Sequence, residues 1–407
     1  MKRLTLRLAT AVVTCLLGIA AATALVVHSR TPVFRFDDHL HFVEQPNPHG
    51  DTTPGQATLE MVFVLDTTGS MSGLLEGAKQ RIWGIVNEVM QQPSRPAVKI
   101  GLVAYRDNGD EYVTKVTPLT SDLDQVYSTL MDFQAGGGGD TPENVRRALS
   151  EGVHAAGWSK DGEQMARIVF LVGDAPPHDD YTNEPPTTAT AAEAVRAGMI
   201  VNTIQCGQIP GTREVWQAIA RQGEGQFFAI AQDGGVQTIT TPYDDQLGKL
   251  GQQLGATFLA YGGGGGARGI SFRSEVAERQ AAAESKIAMR AAAPAKAERA
   301  LNKTVNAEAY ANDLMQSIEN KSVTLDAVKD EDLPDDLRKL PKEDRKKEID
   351  QRLAERQKLR AEIVTLSKQR DAYLAAERKK QEGTKQTGFD SAVAAALKAQ
   401  LARKGIK

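Results

Sequence analysis

The chain has 407 residues, room for two or three domains, with 41% hydrophobic, 25% charged and 5% aromatic residues. Its net charge of −3 joins unlike parts: residues 31–267 hold 15 Lys and Arg against 29 Asp and Glu, and residues 268–407 hold 30 against 23. An acidic front part excludes nucleic-acid binding through a basic patch, and the mixed signs of the tail read as solvated helix.

Lys2, Arg3 and Arg7 precede an uncharged apolar run, Leu8 to Val27. That is the n-region and h-region of a signal peptide, and the run is also roughly the 20 residues that span a bilayer. Ala22-Thr23-Ala24 offers a small-x-small cleavage site. Residues 1–30 are therefore a cleaved leader or a membrane anchor, and either predicts export to a periplasmic or extracellular location. Residues 31–57, rich in Pro, His, Asp and Thr and without a period, read as a linker. The two cysteines, Cys15 and Cys206, cannot pair within the folded part, and Cys206 reads as an inert buried thiol.

From residue 58 to 260 short apolar runs alternate with helical stretches. Strands are predicted at Met61–Leu65, Val98–Tyr105, Tyr112–Val116 (an edge), Ile168–Val172, Met199–Cys206 and Gln226–Ile230. Helices are predicted at Leu74–Met90, Leu123–Phe133, Glu143–Ala156, Thr187–Ala197, Glu214–Gln222 and Val236–Leu259, the third of them capped by Thr141 with Pro142 at its first position. This order implies an α/β fold with a doubly wound, mainly parallel sheet covered on both faces. The glycine run within 261–270 reads as a flexible hinge. Residues 271–407 form a charged, Ala-rich helical region cut by Pro294, Pro334 and Pro341. Apolar positions such as Ile349, Leu359 and Ile363 make it partly coiled coil or docked on the globular part. Phe389, Val393, Leu397 and Leu401 recur every four residues and predict a last helix that packs on something.

Chemistry concentrates in three places. Phe63-Val64-Leu65-Asp66-Thr67-Thr68-Gly69-Ser70 is a buried strand ending in an acid, with hydroxyls at every second position after it. A glycine-rich loop, 136–139, runs into Asp140-Thr141-Pro142-Glu143-Asn144. A second buried strand ends in Gly173-Asp174. At the carboxyl edge of such a sheet these bring oxygen ligands into one crevice, a set that suits Mg2+. Taken alone, Asp66, Thr68 and Ser70 would read as helix caps.

In this order the motifs resemble a von Willebrand factor A domain with a metal-ion-dependent adhesion site, of the exported bacterial type, over roughly Thr58–Leu259. Gly173-Asp174-Ala175-Pro176-Pro177-His178 and Tyr105-Arg106-Asp107 resemble a subgroup of bacterial and alpha-kinase-linked A domains. The resemblance implies that Thr68 and Ser70 bind Mg2+ (or Mn2+) directly and that Asp66 and Asp174 bind it directly or through water. It implies that Thr141 joins when a partner is bound, and that an Asp or Glu carboxylate of a protein partner completes the sphere. No paired acids, His-rich ligand set or nucleophile motif marks an enzyme. A metal-assisted enzyme and a passive coiled-coil scaffold are the alternative readings.

Overall fold

β1 (Thr58–Asp66) is buried at all nine positions, as a strand covered on both faces must be. The computed structural model describes residues 57–90, 96–160, 162–230, 239–306, 312–381 and 388–406. The leader 1–30 and the linker up to residue 56 lie outside them. Among the described residues no helix is long and apolar enough to cross a membrane.

β1 pairs in parallel with β2 (Ala97–Tyr105) on one side and β4 (Met165–Gly173) on the other. β5 (Met199–Cys206) and β6 (Glu224–Ile230) extend the parallel sheet, and β3 (Thr114–Thr120) closes the other edge antiparallel, giving the order β3-β2-β1-β4-β5-β6. Chain direction reverses its lateral walk between β1 and β4, so the crevice beyond their carboxyl ends is the switch point where doubly wound sheets bind ligands.

The period-two alternation of the strands divides the core. Leu59, Met61, Phe63 and Leu65 face α1 (Leu75–Met90) and α2 (Leu123–Asp132), packing with Trp83, Val86, Tyr127 and Leu130. Val62 and Val64 face the other way, toward Val145 and Leu149 of α3 (Val145–His154). α4 (Thr187–Arg196) and α5 (Thr212–Gln222) complete that second layer, with Trp216 and Ile219 fully buried.

The helical region is not a separate body: Pro48–Lys407 forms one compact unit. After α6 (Asp244–Ala256) come α7 (Gly266–Arg290) and α8 (Ala293–Val305). α8 lies against α6 and α1, and Gly251 makes room for it, since a β-carbon there would stand 2.8 Å from that of Ala300. Polar ties reinforce the contact: Asn302 Nδ2 donates to Asn87 Oδ1 at 2.9 Å, and Arg299 bridges Asp124 of α2 to Glu284 of α7. Beyond α9 (Leu314–Glu319) and α10 (Asp335–Arg338), the 40-residue α11 (Lys342–Gln381) spends Leu359 and Ile363 on docking to α6 and α8. α12 (Gly388–Arg403) buries Val393, Leu397 and Leu401 in the first core, as the four-residue apolar spacing predicts.

The stretch 261–270 departs from the hinge expectation. Gly262, Gly263, Gly264 and Gly266 have φ between +70° and +96°, a region that favours glycine. Gly262 N donates to Asp332 O at 2.8 Å, Gly264 N donates to Asp332 Oδ1 at 2.7 Å, and Arg273 Nη1 donates to Gly262 O at 2.8 Å. The glycines form a pinned turn, and the rest of the stretch is already α7.

Candidate functional site

Asp66, the last residue of β1, is fully buried, and its Oδ1 accepts from Thr68 N at 2.8 Å and Thr68 Oγ1 at 2.6 Å. The chain then makes a 3-10 turn, Gly69–Gly73, which brings Ser70 Oγ within 3.0 Å of Thr68 Oγ1. Ser70 Oγ also donates to Asp174 Oδ1 at 3.1 Å. Register explains the meeting: Leu65 of β1 stands opposite Val172 of β4, so Asp66 comes level with Gly173 and Asp174 follows one residue beyond. Gly173 keeps them close, because a β-carbon there would stand 2.9 Å from Asp66 Oδ2 and collide with the Tyr105 hydroxyl.

Thr141, whose expected role is to join once a partner is bound, stands apart from this set. It is exposed, and no described hydrogen bond joins it to Asp66, Thr68, Ser70 or Asp174. α3 begins at Val145, and its N-cap is Asn144, whose side chain accepts from Arg147 N at 3.0 Å. Residues 141–143 are drawn away from the helix because Glu143 N donates to Pro176 O at 3.0 Å and His178 N donates to Glu143 O at 3.2 Å. That bridge turns in the Glu143 side chain, which is 98% buried, with its carboxyl near Thr68 and Asp66.

The glycine loop is the lid of this crevice. Gly69 N donates to Gly137 O at 3.1 Å, Gly136 N donates to Thr67 O at 3.0 Å, and Gly138 N donates to Asp110 Oδ2 at 2.9 Å. Gly138, with φ of +75°, leaves the space where Glu143 Oε1 and Thr68 meet, since a β-carbon would lie 3.1 Å from the first and 3.2 Å from the β-carbon of the second.

Three carboxyls thus crowd one buried crevice. Burial, and then the charge of Asp174, pushes Asp66 up to about 7. Burial, and then the charge of Asp66, pushes Glu143 up to about 9. Burial also raises Asp174. Among the described residues no ion pair reaches any of the three. The nearby Arg106 turns its guanidinium to Thr67 O, Gln134 O and Glu111 instead. Asp66 Oδ2, Glu143 Oε2 and Asp174 Oδ2 are buried without a hydrogen-bond partner. Buried polar atoms are rarely left so, and a hard divalent cation fits that donor set. Cys206 lies buried nearby as a thiol raised by burial, and plays no part in it.

Residues 60–242 match the family model described as von Willebrand factor A domain. The chain is 30% identical over 210 residues to von Willebrand factor A domain-containing protein 7 of Mus musculus, covering 49% of this chain and 22% of that one. It is 31% identical over 123 residues to a putative ariadne-like RING finger protein of Acanthamoeba polyphaga mimivirus, covering 30% of this chain and 12% of the other. The chain therefore spans less than a quarter of the length of these curated relatives. Among solved structures, the SpRpn10 VWA domain aligns over 43% of this chain and 89% of its own at 14% identity and a TM-score of 0.33. The pilus adhesin SpaC of Lactobacillus rhamnosus GG aligns over 46% of this chain and 29% of its own, also at 14% identity and a TM-score of 0.33. The doubly wound sheet has the von Willebrand factor A fold, and residues 60–242 are the part that resembles that domain.

Proposed function

We propose that this domain is a metal-dependent protein-binding module, holding Mg2+ (or Mn2+) among Asp66, Thr68, Ser70, Glu143 and Asp174 and using it to grip an Asp or Glu carboxylate of a protein partner. The observation that carries the reading is the buried crevice of three carboxyls with orphaned oxygens and two hydroxyls at a sheet switch point. Two hydroxyls and water leave a hard ion with open positions, which is what a partner's carboxylate needs.

Glu143 changes the terms of that grip. It brings a third acid to the ion. A divalent ion with three ionised carboxylates is net negative and repels a fourth. Glu143 is thus the group that a partner's carboxylate has to displace. Export through residues 1–30, cleaved or kept as a membrane anchor, belongs to the same reading. An alkaline phosphatase fusion after residue 60 should be active, and an inactive one speaks against export.

The test is capture of partner by residues 31–407 in Mg2+ against EDTA, for wild type and Asp66→Ala. Capture should need both the metal and Asp66. Capture indifferent to EDTA and to the substitution would overturn the reading.

A further inference from the structure

A second constellation lies beside the first and shares no side chain with it. Pro176 and Pro177 fix the backbone after β4 and present His178, which is only 9% exposed. Its Nε2 is buried without a hydrogen-bond partner. That nitrogen faces two carboxylates, standing 3.4 Å from Asp107 Oδ2 and 3.6 Å from Asp140 Oδ2. One ligand atom from each of the three residues lies within 4.8 Å of the others.

Each member is held by an outer partner. His178 Nδ1 is 2.9 Å from Asp180 Oδ1, which fixes Nδ1 as the protonated nitrogen and leaves the Nε2 lone pair for an ion. Tyr181 donates its hydroxyl to Asp107, 3.0 Å from each oxygen, and its ring stacks on the imidazole at 4.1 Å and 10°. Asp140 is the open side, with 59% of its side chain exposed.

We infer that His178, Asp107 and Asp140 form a second cation site, suited to a first-row transition divalent ion of the Zn2+ class rather than to Mg2+. Two atoms each about 2.1 Å from a tetrahedral ion stand roughly 3.4 Å apart, and the two nitrogen-to-oxygen distances are of that size. Imidazole selects for such ions, whereas Mg2+ prefers oxygen alone. Two aspartates balance the divalent charge, and the exposed side at Asp140 leaves a position for water or for a ligand group from outside. Because His178 N donates to Glu143 O, an ion here would also stiffen the segment that carries Glu143.

Zn2+ is the probe. The tag-free chain is dialysed against buffered Zn2+ and the retained metal counted for wild type, His178→Gln, Asp140→Asn and Asp66→Ala. Wild type and Asp66→Ala should hold one equivalent that His178→Gln lacks, which separates this site from the one at Asp66. Asp140→Asn, on an exposed loop, cannot unfold the protein and should weaken Zn2+ binding roughly tenfold or more. Co2+ in place of Zn2+ should give visible absorption that His178→Gln abolishes. Equal Zn2+ retention in wild type, His178→Gln and Asp140→Asn overturns the site and leaves His178 as one partner of an ion-pair cluster.

Discussion

Ser70 Oγ donates to Asp174 Oδ1 at 3.1 Å, tying the loop after β1 to the loop after β4 across 104 positions of sequence. The same hydroxyl is 3.0 Å from Thr68 Oγ1, so it is the link between the two strand ends. Ser70 is exposed, so Ser70→Ala should shift the melting temperature little. It should weaken Mn2+ binding about tenfold, because one oxygen of the set is gone. Calorimetric titration decides this, and unchanged affinity would remove Ser70 from the site.

Glu143 and Thr141 make a paired test. Thr141→Ala should leave metal affinity as it is, because the hydroxyl is exposed and outside the crevice. Glu143→Gln should lower Mn2+ affinity while preserving the carbonyl acceptor. If Glu143 is also what a partner displaces, Glu143→Gln should bind partner more tightly at saturating metal. A variant series in which Thr141→Ala matters and Glu143→Gln does not would reverse the assignment.

That pair also marks how far the sequence could be read. β1 and β4 are legible because strands buried on both faces carry unbroken apolar runs, Met61–Leu65 and Ile168–Val172, and Asp66 and Asp174 are visible as the acids that follow them. Thr141-Pro142 fits a helix start by local preference alone. The helix starts at Val145 because a tertiary bridge, in which Glu143 N donates to Pro176 O, claims the backbone first. Periodicity carries no trace of such a bridge. The one available signal is an acid, Glu143, four residues past the glycine run that covers the other acids. The docked helices were half legible: the stripe on α12 was, whereas Asn87 and Asn302, which join α1 to α8, looked like surface residues.

Asp66 should destabilise the metal-free fold. Its acid is raised from 3.8 to about 7, so the folded state holds the proton more tightly than the unfolded chain does. Ionisation then works against folding, beginning above about pH 4 and complete above about pH 7, by on the order of 4 kcal/mol. In EDTA at pH 8, Asp66→Asn should melt above wild type, and the two should converge near pH 4. Mg2+ should raise the melting temperature of wild type alone. If Asp66→Asn is less stable at pH 8 in EDTA, the crowding is structural and not that of a cation site.

Glu284 acts with the opposite sign. Burial pushes its acid up, but Arg299 and Lys303 outweigh it, and the net value lies below the ordinary 4.5. A lowered acid contributes stability that is complete above its unfolded value and lost as pH falls through the folded one. Glu284→Gln leaves two buried cations short of a partner and should cost about 3 kcal/mol at neutral pH. The acid-side loss of stability between about pH 5 and pH 3 should be shallower in the variant. Parallel acid unfolding of the two proteins would show that the α7–α8 pairing contributes nothing.

The last helix tests whether the helical region is part of the domain's core. α12 alone is 16 residues, marginal in water, so its persistence has to come from packing. Val393, Leu397 and Leu401 are each at most 2% exposed and sit with α1 and β6. Gln400 and Asn202 exchange amide hydrogen bonds in both directions, at 2.8 Å and 3.1 Å, fixing the rotation of the helix on β5. Leu397→Ala should therefore cost about 2–4 kcal/mol, a core price rather than a surface one. Gln400→Ala should cost about 1–3 kcal/mol, because Asn202 Nδ2 is left buried without its acceptor while Oδ1 keeps Gln226 N. Ala402→Lys, on the exposed side, is the control and should do nothing measurable. Amides of 393–401 should exchange no faster than those of β5. Exchange within seconds, with Leu397→Ala as mild as Ala402→Lys, would mean that the helix is a solvated tail and that the first core closes without it.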